Sequence, residues 1–504
     1  MSVYRFSASA LALAVSIGSA APGFAQTLRF GLNNDPDLLD PTTSRTFVGT
    51  AVMTAICDKL FDFDASFNLV PKLASSFEWT SPTVVVLKIR PGVTFHDGEK
   101  LDAAAVKYTL ERHVNTPTSF RRAELSAMEK VEVVAADTVK ITLKQPSQAF
   151  LAAFTDRSGM MVSPKAAEAA GKDFGLHPVC AGPFKFVERV AQDHITVEKY
   201  PGYWDAANVH FDRVIYRPMP DSSVRLANLK AGALDMADIV PSDADNVKKD
   251  AKLQLLSSSG LGYAGISFNI GPNAMANTPI GRDARVRRAF ELVMDRDVIV
   301  NVVFAGMYTP VAQAISARSP MHVAKIKPPS RDLVAAKKLL AEAGVALPVV
   351  IKLTVPNNPQ SLQVSEVIQS LGKEGGFDVQ VTVMDFGTAL ATTQRGDYGA
   401  FLIGWSGLLD ADSNVYSFLR TGAPLNITNY SNKIVDDALD AARIEADPAL
   451  RQAEYAKVWA QERIDLPIMY LYTPSYIVGA TTKLSGYKVL PDGLIRLQGA
   501  RLLP

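Results

Sequence analysis

The chain has 504 residues, 48% of them apolar and 20% charged, with a formal net charge of +1. That length suits two to four domains or one large two-lobed body, and the composition excludes wholesale disorder. Charge so near balance argues against a nucleic-acid binder, in which a basic patch should dominate.

Residues Met1–Ala25 read as an export signal. Arg5 is their only charge, Ala8–Ile17 is a short apolar run, and Gly23-Phe24-Ala25 fits a small-x-small cleavage site before Gln26. The run is too short to span a bilayer, and no later stretch approaches the roughly 18 apolar residues required. No cysteine follows it, so a free periplasmic protein is expected rather than a lipid-anchored one.

Thr27–Leu32 alternates as a short strand, followed by the polar loop Asn33–Pro41. A helix is expected from about Ser44 to Lys59, with Val48, Val52, Ala55 and Ile56 inward, and Leu60, Phe61 and Phe63 open a strand. Within Leu73–His113, Val84–Arg90 forms a strand with apolar bulk on both faces. Pro91-Gly92 turns, Val93 and Phe95 lead through a second strand to the turn Asp97-Gly98, and Asp102 caps a helix bearing Val106 and Leu110. Val131–Leu143 reads as a hairpin broken at Ala136-Asp137. Helices at Ser223–Gly232, Val286–Met294, Val298–Phe304, Arg331–Gly344, Gln363–Gly372 and Asp447–Arg463 alternate with strands at Ile266–Ile270, Val349–Val355, Asp378–Val383 and Ile468–Tyr472. Such alternation implies α/β lobes. Asn269 is taken as a crossing between them, and Ile468–Tyr472 as the strand that recrosses.

The unit Leu73–His113 resembles the signature of the peptide- and nickel-binding receptors that serve ATP-binding-cassette importers. There a strand runs into lysine or arginine, then Val-x-Phe-His-Asp-Gly, then a helix opening after an aspartate. Arg90, Val93, Phe95, His96, Asp97, Gly98 and Asp102 stand at those places. The resemblance extends to Leu39-Asp40-Pro41, to Cys180–Phe186 with Cys180 in place of a glycine, to Tyr200–Trp204 and to Leu484–Arg496, covering Thr27 to Leu497. It implies an α/β, two-lobed, type II-like periplasmic-binding-protein fold with an extra subdomain inserted in the first lobe. The expected division is 26–264 for the first lobe (insertion about 59–175), 265–476 for the second, and 477–504 returning to the first. Cys57 and Cys180 flank segments that the family brings together, so a disulfide is expected after export, with two separate buried thiols as the alternative.

Catalytic motifs give little. Gly260-Leu261-Gly262-Tyr263-Ala264-Gly265 fits the dinucleotide pattern, yet an alternating strand and Pro272 follow where a phosphate-binding helix should begin. No histidine pair has metal-ligand spacing, so no metal or other cofactor is expected. His96 beside Asp97 could be a base–carboxylate pair, and as part of the signature turn it reads as a hydrogen-bond anchor. The cluster Arg282, Arg285, Arg287 and Arg288 reads as a solvated helix face.

Ala400–Leu419 is the expected ligand-choosing stretch. An apolar strand ends in Gly404-Trp405-Ser406-Gly407 and delivers Asp410 and Asp412, where strand-end loops of α/β lobes face a crevice. An indole beside carboxylates suits a ligand with an ammonium group and apolar parts; the alternative is that the aspartates cap a following helix. Peptide-binding relatives place an aspartate three residues after the matching tryptophan, where Leu408 stands here. Either Asp410 or Asp412 takes that role, or the ligand lacks a free amine there, which favours glutathione-like peptides, opines and other conjugates. Arg157 is a candidate for a ligand carboxylate, and Tyr263, Asn269 and Thr46 are further candidates. The resemblance implies a monomeric receptor that binds a small peptide or peptide-like ligand by hinge closure, delivers it to a membrane permease, and performs no catalysis. The alternatives are a receptor for an opine, sugar or metal–chelator complex, and an exported hydrolase.

Overall fold

The computed structural model describes residues 26–504; the export signal expected over 1–25 lies outside the described residues. Two large sheets organise them. The first has seven strands in the order Leu253–Ser259, Ser475–Thr481, Met236–Asp238, Thr27–Leu32, Arg213–Pro218, His194–Lys199 and Phe184–Val190. The second has six, ordered Thr309–Pro310, Ile468–Thr473, Tyr263–Phe268, Ala400–Trp405, Val349–Pro356 and Phe377–Met384. Each sheet is covered by helices whose starts the sequence marks with short acids and amides. Asp221 accepts from the Val224 N–H, Asp295 from Val298, Asp332 from Ala335 and Asn358 from Ser361.

Strand direction decides where a ligand can sit. Thr27–Leu32 runs parallel to Arg213–Pro218 and Met236–Asp238, so Leu32, Pro218 and Asp238 end on one edge of the first sheet. Val349–Pro356 runs parallel to Phe377–Met384 and Ala400–Trp405, and Tyr263–Phe268 runs antiparallel, so Pro356, Met384, Trp405 and Tyr263 share one edge of the second.

The chain crosses between the lobes twice, side by side. Ser259 pairs with Ser475, and the Gly260 N–H donates to the Pro474 carbonyl at 2.8 Å. This corrects two expectations. Asn269 ends the strand Tyr263–Phe268 deep in the second lobe, and Ile468–Thr473 stays wholly in the second sheet; the recrossing strand is Ser475–Thr481. The two strands are separated only by Pro474, which cannot donate to a ladder, so they read as a single apolar run.

An inserted unit is built on a four-stranded antiparallel sheet, Ala74–Ser81, Val84–Ile89, Thr138–Leu143 and Met128–Ala135, against the helix Ala103–Asn115, with a core of its own around Leu87, Val106, Ile141 and Phe154. Val93–Phe95 is a loop held by one bridge, Thr94 to Lys100, where a strand was expected. Val84–Ile89 pairs with Thr138–Leu143 on one side and with Ala74–Ser81 on the other, the latter mostly exposed and so without apolar alternation to read.

Cys57 and Cys180 form a disulfide across a separation of 123 residues. Cys57 caps the helix Phe47–Ile56, and the Gly182 N–H donates to the Ile56 carbonyl at 2.9 Å. The signature turn grips the same segment: the His96 N–H donates to the Cys180 carbonyl (2.9 Å), and its Nε2 lies 3.0 Å from the Gly182 carbonyl. Burial pushes the His96 imidazole down to about 4, so near neutral pH it is uncharged and Nε2–H donates. Asp97 accepts from Ser163 Oγ at 2.6 Å. We predict that the unfolded, unreduced protein takes up no thiol label, and that reduction lowers the unfolding free energy in urea by about 5 kcal/mol through released loop entropy.

Candidate functional site

The facing edges of the two sheets enclose a cavity of about 720 Å³. Leu32–Asn34, Pro220–Arg225, Asp238–Ser242 and Phe47–Ala51 belong to its first-lobe wall; Asn357–Gln363, Val303 and Tyr308 form the second. Ser475–Val478, beside the crossing, floors it. Clefts of this size at the carboxyl ends of strands are the usual ligand sites of α/β proteins. The insertion also touches the second lobe: the Gln148 N–H donates to the Arg443 carbonyl at 3.0 Å.

The wall is rich in side-chain amides: Asn33, Asn34, Asn357, Asn358, Gln360 and Gln363. Each group of amides follows directly on a strand, because the chain leaving a sheet edge must turn while its backbone is still polar and partly solvated. Phe47 and Tyr476 stack at 5.2 Å between ring centres and give this wall an apolar plate. Sequence reasoning passed over these residues, although Asn33-Asn34 and Asn357-Asn358 stand where the strand-end rule would have pointed.

Of the residues singled out from sequence, Trp405 and Tyr263 come together, as register partners on adjacent strands at the cleft edge. Both line an apolar pocket of about 70 Å³ with Phe418, Leu425 and Ile403. The indole N–H of Trp405 donates to Asn414 Oδ1 at 2.9 Å, so the ring offers its face rather than its polar edge. Asn414 also accepts from the Leu408 N–H (2.8 Å) and donates to the Leu408 carbonyl (2.9 Å), which pins the loop. Gly407 has a φ of +85°, and a Cβ there would lie 2.4 Å from the Gly262 nitrogen; a Cβ on Gly262 would lie 1.7 Å from the Trp405 carbonyl oxygen. The glycines that mimic a dinucleotide motif therefore serve close backbone approaches, Gly262 to Trp405, Gly260 to Pro474 and Gly265 to Met469, and the following segment, Tyr263–Phe268, is a strand.

The remaining candidates are occupied elsewhere. Asp410 caps the helix Ala411–Leu419 and holds Arg451 by two bonds of 2.6 and 2.8 Å. Asp412 holds Arg443 at 2.7 and 3.1 Å. Burial works against both anions. Arg451 overcomes it and keeps the Asp410 carboxyl below its usual range, whereas the Asp412 carboxyl stays raised despite Arg443. The expectation that these two carboxylates meet a ligand is thus corrected, because both are already engaged by arginines whose stranding would be costly. Arg157 lies between Asp156, 3.4 Å from its Nε, and the Ser44 carbonyl, which accepts from Nη1 at 3.1 Å. Thr46 caps its helix, accepting from the Gly49 N–H and donating to Asp37 Oδ1 at 2.7 Å. Asn269 is fully buried and donates to the carbonyls of Gly396 (3.0 Å) and Tyr398 (2.8 Å), far from the strand ends that form the cleft.

Two carboxylates line the cavity: Asp221, which caps the helix Ser222–Lys230, and Asp238. Asp238 ends its strand there, and burial pushes its carboxyl up to about 6 while the Arg225 guanidinium pulls it back. Among the described residues no His, Cys, Asp and Glu cluster suited to a metal ion is present.

Residues 68–426 match the model of bacterial extracellular solute-binding proteins, family 5. The chain is 33% identical over 482 residues to the glutathione-binding protein GsiB of Pectobacterium atrosepticum, covering 92% of each. It is 27% identical to AgaA of A. tumefaciens R10, solved in complex with agropinic acid, with a TM-score of 0.83 over 95% of this chain and 99% of that one. The oligopeptide-binding protein AppA of Bacillus subtilis, solved with a nonapeptide, shares the fold at 23% identity, a TM-score of 0.83 and coverage of 95% and 100%.

Two predictions follow from the charges. Asp410→Ala, which strands a buried arginine, should cost about 3–5 kcal/mol in urea unfolding. Asp238→Asn should act oppositely. A folded-state pKa near 6 lies above the ordinary 3.8, so the protonated form is the one the fold favours. That stability is complete below about pH 4 and is lost as pH rises through 6. The variant should therefore melt higher than wild type at pH 8 and with it at pH 4, as read by scanning calorimetry.

Proposed function

The chain belongs to family 5 of the bacterial extracellular solute-binding proteins, and from that premise we propose a receptor that closes its two lobes over a short peptide or peptide-like conjugate. The closed form is presented to the permease of an ATP-binding-cassette importer, and the receptor works as a periplasmic monomer. The observation that carries this reading is the amide-lined cavity of about 720 Å³ between opposed strand ends, large enough for a short peptide and furnished to hydrogen-bond its backbone. Trp405 and Tyr263 supply an apolar wall for a ligand side chain. Closure stabilised by contacts to both lobes needs no bond-making step. A micromolar ligand requires about −8 kcal/mol net, within reach of a cleft that buries most of a tripeptide.

The GsiB relatives make glutathione the first ligand to try. An opine is the second reading, favoured by the likeness to AgaA and by Leu408, which removes a carboxylate from the second-lobe loop. Thermal unfolding with glutathione, di- to tetrapeptides and opines separates the two. Ligand at about 100 times Kd should stabilise the protein by about 2.7 kcal/mol. Response to opines with silence toward every amine-bearing peptide, glutathione included, would overturn the peptide reading in favour of the second.

A further inference from the structure

The cleft holds an unusual carboxylate. Asp238 lines the cavity at the end of Met236–Asp238, beside Asn33 and Asn34 on the neighbouring strand end. It accepts one hydrogen bond, from the Asn33 N–H to Oδ2 at 3.2 Å, and forms no ion pair among the described residues. The nearest cation, Arg225, is committed to backbone: its Nε donates to the Asp238 carbonyl at 2.6 Å, and its Nη1 donates to the carbonyls of Met219 and Pro220. Asp221 and Asp243 flank that arginine, and the Tyr487 phenol faces Asp238 from the C-terminal segment. None of these neutralises the carboxylate. No lysine or histidine lines the cavity.

The carboxylates beside Trp405 are each held by an arginine, Asp410 by Arg451 and Asp412 by Arg443, whereas the half-buried Asp238 of the cleft has no such partner. A charge left open in a binding cleft is satisfied when the ligand brings the opposite one. We propose that Asp238 is the residue that binds the ammonium group of the ligand, so that the ligand is an amine-bearing zwitterion whose cationic end lies against the first lobe. This rests on the peptide-receptor reading and adds its polarity. The second-lobe loop at Leu408 offers no carboxylate, so the amine is anchored from the opposite wall.

The test uses the full mature chain, calorimetry at pH 7.5, and two probes that differ only in the charge concerned, glutathione and N-acetylglutathione. Wild type should prefer glutathione by about tenfold or more, as expected for a charge-assisted hydrogen bond in a dry site. Asp238→Asn should lose about 10- to 100-fold for glutathione and change little toward the acetylated probe, while Asp238→Glu keeps part of the preference. An unchanged melting temperature or a higher one shows that the Asn variant is folded. Wild-type affinity for glutathione in Asp238→Asn, equal losses for both probes, or no preference in wild type would each overturn the assignment alone. A wild type that binds neither probe while responding to opines would overturn it together with the peptide reading.

Discussion

The two lobes hang on one short stretch of antiparallel pairing, Ser259 against Ser475, closed by the Gly260 N–H on the Pro474 carbonyl. Both crossings lie side by side, so neither large sheet shares a strand with the other. The same pairing fixes which edges face each other. Tyr263 begins its strand and Thr473 ends its own at the cleft side of the second sheet, while Ser475 starts at the cleft side of the first. The carboxyl ends of the parallel strands in both sheets are thereby turned toward the gap. Asn33-Asn34 and Asn357-Asn358 line opposite walls of the cavity for that reason.

Charge is deployed with the same economy. Most buried acids are spent on holding the frame: Asp410 on Arg451, Asp412 on Arg443, and Asp62 on Lys59 and Arg496. The last of these ties the C-terminal segment to the start of the insertion, so the final residues of the chain brace the first lobe. Removing one member of such a pair leaves the other stranded in a dry interior, which is why these positions resist reuse for ligand binding. Against that background Asp238 differs by lining the cavity half-buried, with one backbone hydrogen bond and no ion pair among the described residues.

The signature that made the chain recognisable turns out to be a clamp. His96 and Asp97 hold the segment Cys180–Gly182 and Ser163, and the disulfide fastens the same segment to the helix Phe47–Ile56. That helix presents Phe47, Val48 and Ala51 to the cleft. The motif therefore acts on the ligand site at one remove, by fixing the position of a wall it does not form. A neutral, buried histidine is well suited to this, since it adds a hydrogen bond without adding a charge.

What the sequence determined by itself is what local chemistry can encode: alternating strands, aspartates and asparagines that start helices, the pairing of cysteines after export, and a signature specific enough to give the family and thus the fold. The register of Tyr263 against Trp405 and the breaking of one apolar run at Pro474 into strands of two sheets were decided only by tertiary structure, because both depend on partners far away in the chain. The roles of the acids were decided there too. Asp410, Asp412 and Asp238 are alike as letters, and Asp410 and Asp412 looked the more promising beside Trp405. Only the folded chain brings Arg451 and Arg443 to those two and leaves Asp238 facing the cavity, since whether a carboxylate is free depends on which cation the fold delivers to it.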